Sequence, residues 1–374
     1  MADVEHTPDT EPAARVSTLE LFFDLVFVFT ATQVTTLLTN DLTLRGVARV
    51  VVILAVILWM YGGYAWLTNA VAPNSRFRRT LMLVGMGGFL AMALAVPTAF
   101  GPAGWIFGLA YFVVNAVHSG LFIVAGGPGA ALAMSRLAPL NLTSAGLVLL
   151  GGFLPGYWRL AAWAAAVAIE IASPYLHRIG DFSISPAHFV ERHGLVVIIA
   201  LGESIVAVGA GAAGITVDLG LVLIAVLGLT LSYLMYWVYF GVDDAERAER
   251  ALADVDPSMR AMVAIRAYGW AHYGLLLGIV AVAAGVKKAI GHATGHLTLR
   301  EALLLASGLA IYLVSDVAFR RSLGLGRLRH RTVAAVLTLA TVPLGLLLAV
   351  GQLTALIVLL VAMLVVEERA SRRT

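Results

Sequence analysis

The 374-residue chain contains no cysteine, and charged residues make up only 13% of it. Without cysteine, disulfides, thiolate metal sites and cysteine nucleophiles are excluded. A soluble domain is about 25% charged. The scarcity of charge here, together with 60% hydrophobic residues and a mean hydropathy of +0.91, excludes a soluble globular protein.

Several functional motifs are also missing. No Walker loop is present, so the chain has no nucleotide site of the kind that drives ATP-dependent pumps. No segment interleaves basic and aromatic residues on a polar background, and we predict no nucleic-acid partner despite the net charge of +3. The first 18 residues are polar and acidic, unlike the basic start of a cleaved signal peptide, so we expect the first apolar run to remain as a helix.

Long apolar runs follow one another along nearly the whole chain. Crossing the hydrocarbon layer takes about 20 apolar residues per helix, and backbone polar groups in lipid must be satisfied within the helix. The sequence therefore predicts an all-α polytopic membrane protein with about twelve transmembrane helices. They are placed at 19–39, 46–68, 80–98, 104–125, 139–155, 159–178, 190–212, 217–241, 260–286, 299–320, 331–350 and 352–368, with a tight hairpin at Gly351-Gln352 between the last two.

The predicted spans fall into two halves that resemble each other. We divide the chain into a polar tail (1–18), a first six-helix half (19–178), a second six-helix half (179–368) and a basic tail (369–374). The first helix of each half begins with a glutamate, and the second ends in aromatic residues. A six-plus-six parallel repeat, known among transporters, would explain this. Aromatic residues are also common at any membrane interface, which leaves a bundle without a repeat as the alternative.

Basic residues are distributed unevenly between the two sides of the predicted bundle. Twelve spans with a cytoplasmic N-terminus put eighteen of the 25 Lys and Arg residues on the cytoplasmic side and six on the other, with Arg266 inside a span. Cytoplasmic loops carry the excess of Lys and Arg. Both termini are therefore predicted to lie in the cytoplasm.

Two spans carry acidic residues at membrane depth, where each charge costs about 3 kcal/mol on insertion scales. Glu20 and Asp24 lie four residues apart near the start of the first helix and share one face. A first-turn glutamate is stabilised by the positive end of the helix dipole, which accounts for Glu20. For Asp24 we favour a buried functional or paired role. Such residues mark functional sites by default.

The seventh span begins with a polar group of His188, Glu191, Arg192 and His193. Imidazole and carboxylate ligands suit Zn, Mn or Fe, so His188, Glu191 and His193 are candidate metal ligands. On an ideal helix, however, His193 lies about 200° away from Glu191. Hydrogen bonds of these side chains to the backbone or to Arg192 are the favoured alternative, and the sequence identifies no other cofactor.

Glu203 lies twelve residues after Glu191 within the same apolar span. We predict that it forms a proton or ion site, with Arg266, His272 or His118 as its partner; a purely structural buried pair is the alternative. Asp24, Glu203, Arg266 and His272 thus form the predicted proton, ion or substrate site. Further polar residues within spans, each more often a packing hydrogen bond than a ligand, are Gln33, Asn115, Glu170, Tyr312 and Asp316.

Three segments resemble the bacterial low temperature requirement protein A family. They are Glu20-Leu-Phe-Phe-Asp24-Leu-Val-Phe-Val-Phe, Glu191-Arg192-His193-Gly194 and Ala200-Leu201-Gly202-Glu203-Ser204, and the likeness extends from about residue 16 to the last helices. The resemblance implies a multi-pass protein of the bacterial inner membrane. Its signature positions map onto Glu20, Asp24, His188, Glu191, Arg192, Gly202 and Glu203. It implies little chemistry, because the family is named for a cold-growth phenotype.

Three functions are compatible with these observations. The favoured one is a secondary transporter or proton-coupled permease for a small molecule or ion that the sequence does not identify. The second is a membrane-embedded enzyme, with or without a metal, acting on a lipid-like substrate. The third is a non-catalytic membrane factor that supports growth in the cold through lipid or partner contacts. Membrane lipid is a partner in all three, and the sequence does not determine an oligomeric state.

Overall fold

The computed structural model describes residues 16–71, 75–177, 182, 184–241 and 243–372. Within these residues the chain is helical and has no strand. The predicted tail at 1–18 lies mostly outside the described residues. The helices are α1 (Thr18–Asn40), α2 (Leu44–Ala70), α3 (Arg76–Ala95), α4 (Gly104–Ala125), α5 (Gly127–Gly151), α6 (Gly156–Leu176), α7 (Pro186–Ala212), α8 (Leu219–Phe240), α9 (Asp244–Ala253), α10 (Pro257–Ala264), α11 (His272–Ala289), α12 (Leu299–Leu323), α13 (Leu328–Leu339), α14 (Val342–Leu347) and α15 (Ala349–Ser371).

Eleven helical stretches among the described residues are long and apolar enough to cross a membrane. The remaining predicted span, the sixth, corresponds to α6, whose 21 residues carry Arg159 and Glu170. This length reaches the roughly 20 residues that a crossing needs. The all-helical, polytopic membrane architecture predicted from hydropathy is therefore confirmed.

Two of the predicted boundaries are wrong. The fifth span was expected to begin at Pro139, but α5 begins at Gly127 and passes through that proline, placing Arg136 inside the helix. Neighbouring helices make proline tolerable within a transmembrane helix. The last hairpin turns at Leu348, and Gly351 and Gln352 lie in the first turn of α15.

The position of this last turn is set by contacts with the loop before α12. The Ala349 amide donates to the Gly295 carbonyl over 2.9 Å, and the Leu297 amide donates to the Gly345 carbonyl over 2.8 Å. The buried Gln352 side chain donates to a carbonyl of α12 over 2.8 Å. These contacts satisfy the backbone groups that the chain reversal would otherwise leave unpaired.

The ninth span is not a uniform α-helix. Between α10 and α11, Ile265–Ala271 forms a π-helical segment. Such segments are rare and occur frequently at functional sites. The polar link before this span contains the ten-residue helix α9.

The packing of the helices repeats between the two halves. Helix α1 lies at the centre and contacts α2, α3, α7 and α11. In the first half α3 packs on α1 and α4, while α2 packs on α6; in the second half α11 packs on α7 and α12, while α8 packs on α15. These pairs correspond with an offset of six spans, which supports the predicted six-plus-six repeat.

Candidate functional site

The polar residues of α1 meet those of α7 in a buried seam formed by Glu20, Asp24, His188 and Arg192. Glu20 lies 3.0 Å from His188 Nε2, and Asp24 accepts from Arg192 over 2.8 Å. Each helix contributes two residues four apart, so both members of a pair lie on one face. All four side chains are at most 4% exposed. Four of the polar residues that the sequence analysis named are therefore brought together between two helices.

Both acids of the seam have further partners. Glu20 closes a capping box at the start of α1, where its carboxylate accepts from the Ser17 amide over 2.8 Å. Asp24 also accepts from the Tyr61 hydroxyl over 2.9 Å. Glu20 thus has both the helix-start position expected for it and a long-range partner, and Asp24 is paired as expected.

Glu203 lies farther along the interface of α1 and α7. Its carboxylate accepts a hydrogen bond from the Thr32 hydroxyl, and the residue is 1% exposed. The contacts Glu20–His188, Asp24–Arg192 and Thr32–Glu203 advance in the same direction along both helices, so α1 and α7 run parallel. This interface therefore holds Glu20, Asp24 and Glu203, three of the acids that the sequence analysis named.

Lys287, and not Arg266, is the cation that acts electrostatically on Glu203. Lys287 lies in the last turn of α11. Arg266 is exposed and sits at the level of Tyr268, whose ring packs on His193. His193 precedes Glu203 by ten residues, or about 15 Å of helix. The structure therefore places Arg266 and Glu203 at different depths and does not bring them together.

A cavity of about 360 Å³ lies between the two halves of the protein. Helices α2, α4, α5 and α6 line it from the first half, while α7, the π-helical segment and α11 line it from the second. Its wall is mostly apolar and aromatic. Such concave, largely apolar cavities with a few polar groups are typical of small-molecule sites. The sequence did not indicate it, because its wall combines seven segments that are distant in the chain.

Three histidines contribute to the cavity wall. His272 lies 2.8 Å from the Ala267 carbonyl through Nδ1 and 2.8 Å from the Tyr239 hydroxyl through Nε2. Since a carbonyl only accepts, Nδ1 carries the proton and Nε2 accepts from the tyrosine. By the same argument, His193 donates through Nδ1 to Phe189 and His118 donates through Nε2 to Gly63. His272 is thus a cavity residue, and its ring contacts His193, which precedes Glu203 by ten residues on α7.

The candidate metal ligands of α7 do not converge. His188 faces Glu20, His193 lines the cavity, and Glu191 is exposed, where it accepts from the Val16 amide over 3.2 Å. The helical period sends the three side chains in different directions. Among the described residues, no group of three or more His, Cys, Asp or Glu side chains could hold a metal ion. The geometry therefore does not support the metal interpretation.

A second buried ionic group lies among α9, α12, α13 and α15, and we call it the α12 cluster. It comprises Asp244, Asp316, Arg320, Arg331 and Glu367, each at most 5% exposed. Arg320 Nε donates to Asp316 over 3.1 Å, and Arg331 Nε donates to Glu367 over 3.0 Å. The predicted spans ended at Arg320 and began at Arg331, and the sequence analysis gave neither arginine a partner. Asp316 and Arg320 are four residues apart, and this spacing could have predicted their ion pair. No local pattern predicts that Arg331 pairs with Glu367, because 36 residues separate them.

Comparison with known proteins identifies relatives over most of the chain. The family model for the bacterial low temperature requirement A protein matches residues 15–366. An uncharacterized protein of Rhizobium meliloti (strain 1021) is 27% identical over 319 residues, which cover 82% of this chain and 77% of the relative. No solved structure matches.

Proposed function

We propose that this chain, which belongs to the bacterial low temperature requirement A family, is a secondary transporter that couples the movement of a small molecule to protons. The observation that carries the proposal is the cavity between the two halves. In transporters built from repeats, the substrate site lies at the interface of the repeats, and alternating access follows from rocking of one against the other. A binding site shared by both halves suits that motion.

Glu203 is the proposed proton carrier. It is a buried acid within a span, and intramembrane acids of this kind form proton relays in pumps and transporters. Asp24 already has Arg192 and Tyr61 as fixed partners, which suits it to holding α1 against α7. The enzyme hypothesis is less well supported, because His188, Glu191 and His193 point to different surroundings.

The first test is native mass spectrometry of the purified protein, to find a small molecule that co-purifies with it. We expect Gly62→Leu to remove this molecule, because Gly62 lines the cavity and an added side chain there meets only open space. Gly120→Leu is the matched control: its added side chain is equally unobstructed, but Gly120 is not part of the cavity wall. Equal retention of the molecule by both variants would remove the cavity from the proposal.

The second test uses that molecule in proteoliposomes that contain a pH-sensitive dye. We expect its addition to move protons across wild-type vesicles and expect Glu203→Gln to reduce this flux to the level of protein-free vesicles, while the variant still binds the molecule. The exposed Glu246→Gln on α9 serves as the control for loss of one carboxylate and should match the wild type. Wild-type proton flux in Glu203→Gln would contradict the coupling role.

We further propose a location in the bacterial inner membrane with both termini in the cytoplasm. The distribution of Lys and Arg supports this orientation. Because the chain lacks cysteine, single cysteines can report it directly. In intact cells a membrane-impermeant maleimide should label Thr294→Cys, in the loop before α12, and should label Ala245→Cys on α9 only after permeabilisation. The reverse pattern would invert the orientation.

A further inference from the structure

The cavity wall includes one carboxylate, and none of the described residues that line it is Lys or Arg. That carboxylate belongs to Glu170. An anionic ligand would therefore be buried there without a counter-charge, which costs several kcal/mol. A cationic ligand would instead find an acid. The charges of the wall thus discriminate between ligands of opposite sign.

Glu170 is held in place with one oxygen unpaired. Its Oε1 accepts from the Tyr111 hydroxyl of α4 and, over 2.6 Å, from the Ser144 hydroxyl of α5. Its Oε2 is buried and has no hydrogen-bond partner, and the residue is 2% exposed. Buried polar atoms almost always have a partner, so an unpaired carboxylate oxygen beside a cavity indicates a missing donor. That donor would come from a ligand.

Two other polar atoms of cavity residues are also unpartnered. The Tyr268 hydroxyl and His118 Nδ1 are buried without a hydrogen bond. Since His118 donates through Nε2, its Nδ1 offers a lone pair and accepts only. A carboxylate oxygen, an imidazole lone pair and a hydroxyl are a set that receives hydrogen bonds. A group with several N–H donors satisfies such a set.

Aromatic rings make up much of the remaining wall. Trp59, Trp66, Trp270 and Tyr268 all line the cavity, and the rings of Trp59 and Trp270 stack with their centroids 5.8 Å apart. The faces of Trp and Tyr rings attract cations, and most strongly when the partners are desolvated. The same rings bury an apolar ligand body. The wall therefore suits a molecule that is both apolar and cationic.

The cavity can be reached from the outer face of the bundle. Ile171 of α6 lines it and is 45% exposed, so α6 borders the opening. The π-helical segment lies against α6 here: Trp270, another lining residue, donates to the Tyr175 hydroxyl of α6 over 3.1 Å. These two elements both belong to spans, whose outer faces contact lipid. A ligand that partitions into the membrane can approach here.

We infer that the cavity binds a lipophilic organic amine in its protonated form, with the ammonium group on Glu170 and the apolar body among the aromatic rings. This inference names the substrate class of the transporter proposed above, and it rests on that proposal for transport but not for binding. The ammonium supplies N–H donors to Glu170 Oε2, and the second acceptor of the wall is His118 Nδ1.

Binding can be tested with three probes of one size: phenylbutylamine, phenylbutanol and phenylbutyrate, titrated into the detergent-purified wild-type protein by calorimetry near neutral pH. These share an apolar body and differ in an ammonium, a hydroxyl or a carboxylate head. We expect the amine to bind at least about tenfold more tightly than the alcohol, and the carboxylate most weakly. Equal or tighter binding of phenylbutyrate would overturn the inference, whatever any variant does.

The role of Glu170 is tested by Glu170→Gln, which keeps the shape of the side chain and removes its charge. We expect the Kd of phenylbutylamine to rise about tenfold and that of phenylbutanol to stay within about twofold, so that the alcohol reports an intact cavity. Glu246→Gln, the exposed control, should change neither. An unchanged Kd for the amine in Glu170→Gln would overturn the assignment of Glu170.

The two proposals can fail separately. Tight binding of phenylbutylamine without proton-linked uptake would support the ligand class and reject the transporter. Proton-coupled flux of the co-purified molecule, combined with no preference for the amine over the alcohol, would support the transporter and reject the ligand class.

Discussion

We expect Arg331→Met to lower the free energy of unfolding of this protein by about 3–5 kcal/mol, the usual cost of removing one partner from a buried ionic group. The Arg331 side chain is 1% exposed and donates to Asp316, to Glu367 and, over 2.7 Å, to the Val238 carbonyl. Methionine fills similar space but provides none of these donors. The carboxylate of Asp316, whose Oδ1 already has no partner, would lose part of its counter-charge.

Reversible unfolding in denaturing detergent, followed by tryptophan fluorescence, measures this effect. Arg321→Met is the matched control, because Arg321 lies in the last turn of α12 but is exposed. Exposed substitutions away from specific contacts usually change stability by less than about 0.5 kcal/mol. Similar losses in the two variants would mean that the α12 cluster does not stabilise the fold.

Asp24→Asn is expected to destabilise the protein by about 3 kcal/mol or more, because it leaves the buried guanidinium of Arg192 without its carboxylate. The substitution changes the shape of the side chain very little, so the loss of charge dominates. Glu191→Gln, at an exposed acid of α7 beside Arg192, is the control and should have little effect.

A double-mutant cycle separates the pair from its surroundings. Adding Arg192→Met to Asp24→Asn removes the unpaired charge and should recover a large part of the lost stability, measured by the same detergent titration. Because Arg192 also donates to the Glu20 carbonyl over 2.8 Å, recovery should be incomplete. A double variant that is no more stable than Asp24→Asn would show that the two side chains do not act as a pair.

The boundaries of the helices show which of them the local hydropathy pattern can predict. The fourth span was predicted at 104–125 and α4 occupies these residues, since a run of apolar residues in lipid satisfies its own backbone. Pro139 misled the prediction for α5, because the cost of a proline depends on the helices packed around it rather than on its neighbours in sequence. The turn at Leu348 likewise depends on hydrogen bonds with Gly295 and Leu297, about 50 residues earlier.

The charged residues of the spans could be recognised from the sequence, but their partners could not. Glu20, Asp24, His188 and Arg192 were recognisable because charge at membrane depth is costly. Their pairing was not, since the partners lie 168 residues apart in sequence. Arg331, predicted at the very start of a span, is buried, while Arg266, predicted inside a span, is exposed. The residue type gives the sign of a charge, but the burial and the partners of that charge depend on how the whole bundle packs.

The sequence by itself determined the all-helical membrane architecture and the family, predicted about twelve spans, and singled out the acids at membrane depth. Each of these follows from composition or from patterns within one segment, where hydropathy and helical period act locally. Only the tertiary structure decided that α1 and α7 run parallel, that Glu203 accepts from Thr32 of α1, and that Glu170 lines a cavity shared by both halves. Those facts depend on contacts between residues far apart in the chain, and a contact of that kind leaves no mark in the local pattern of either segment.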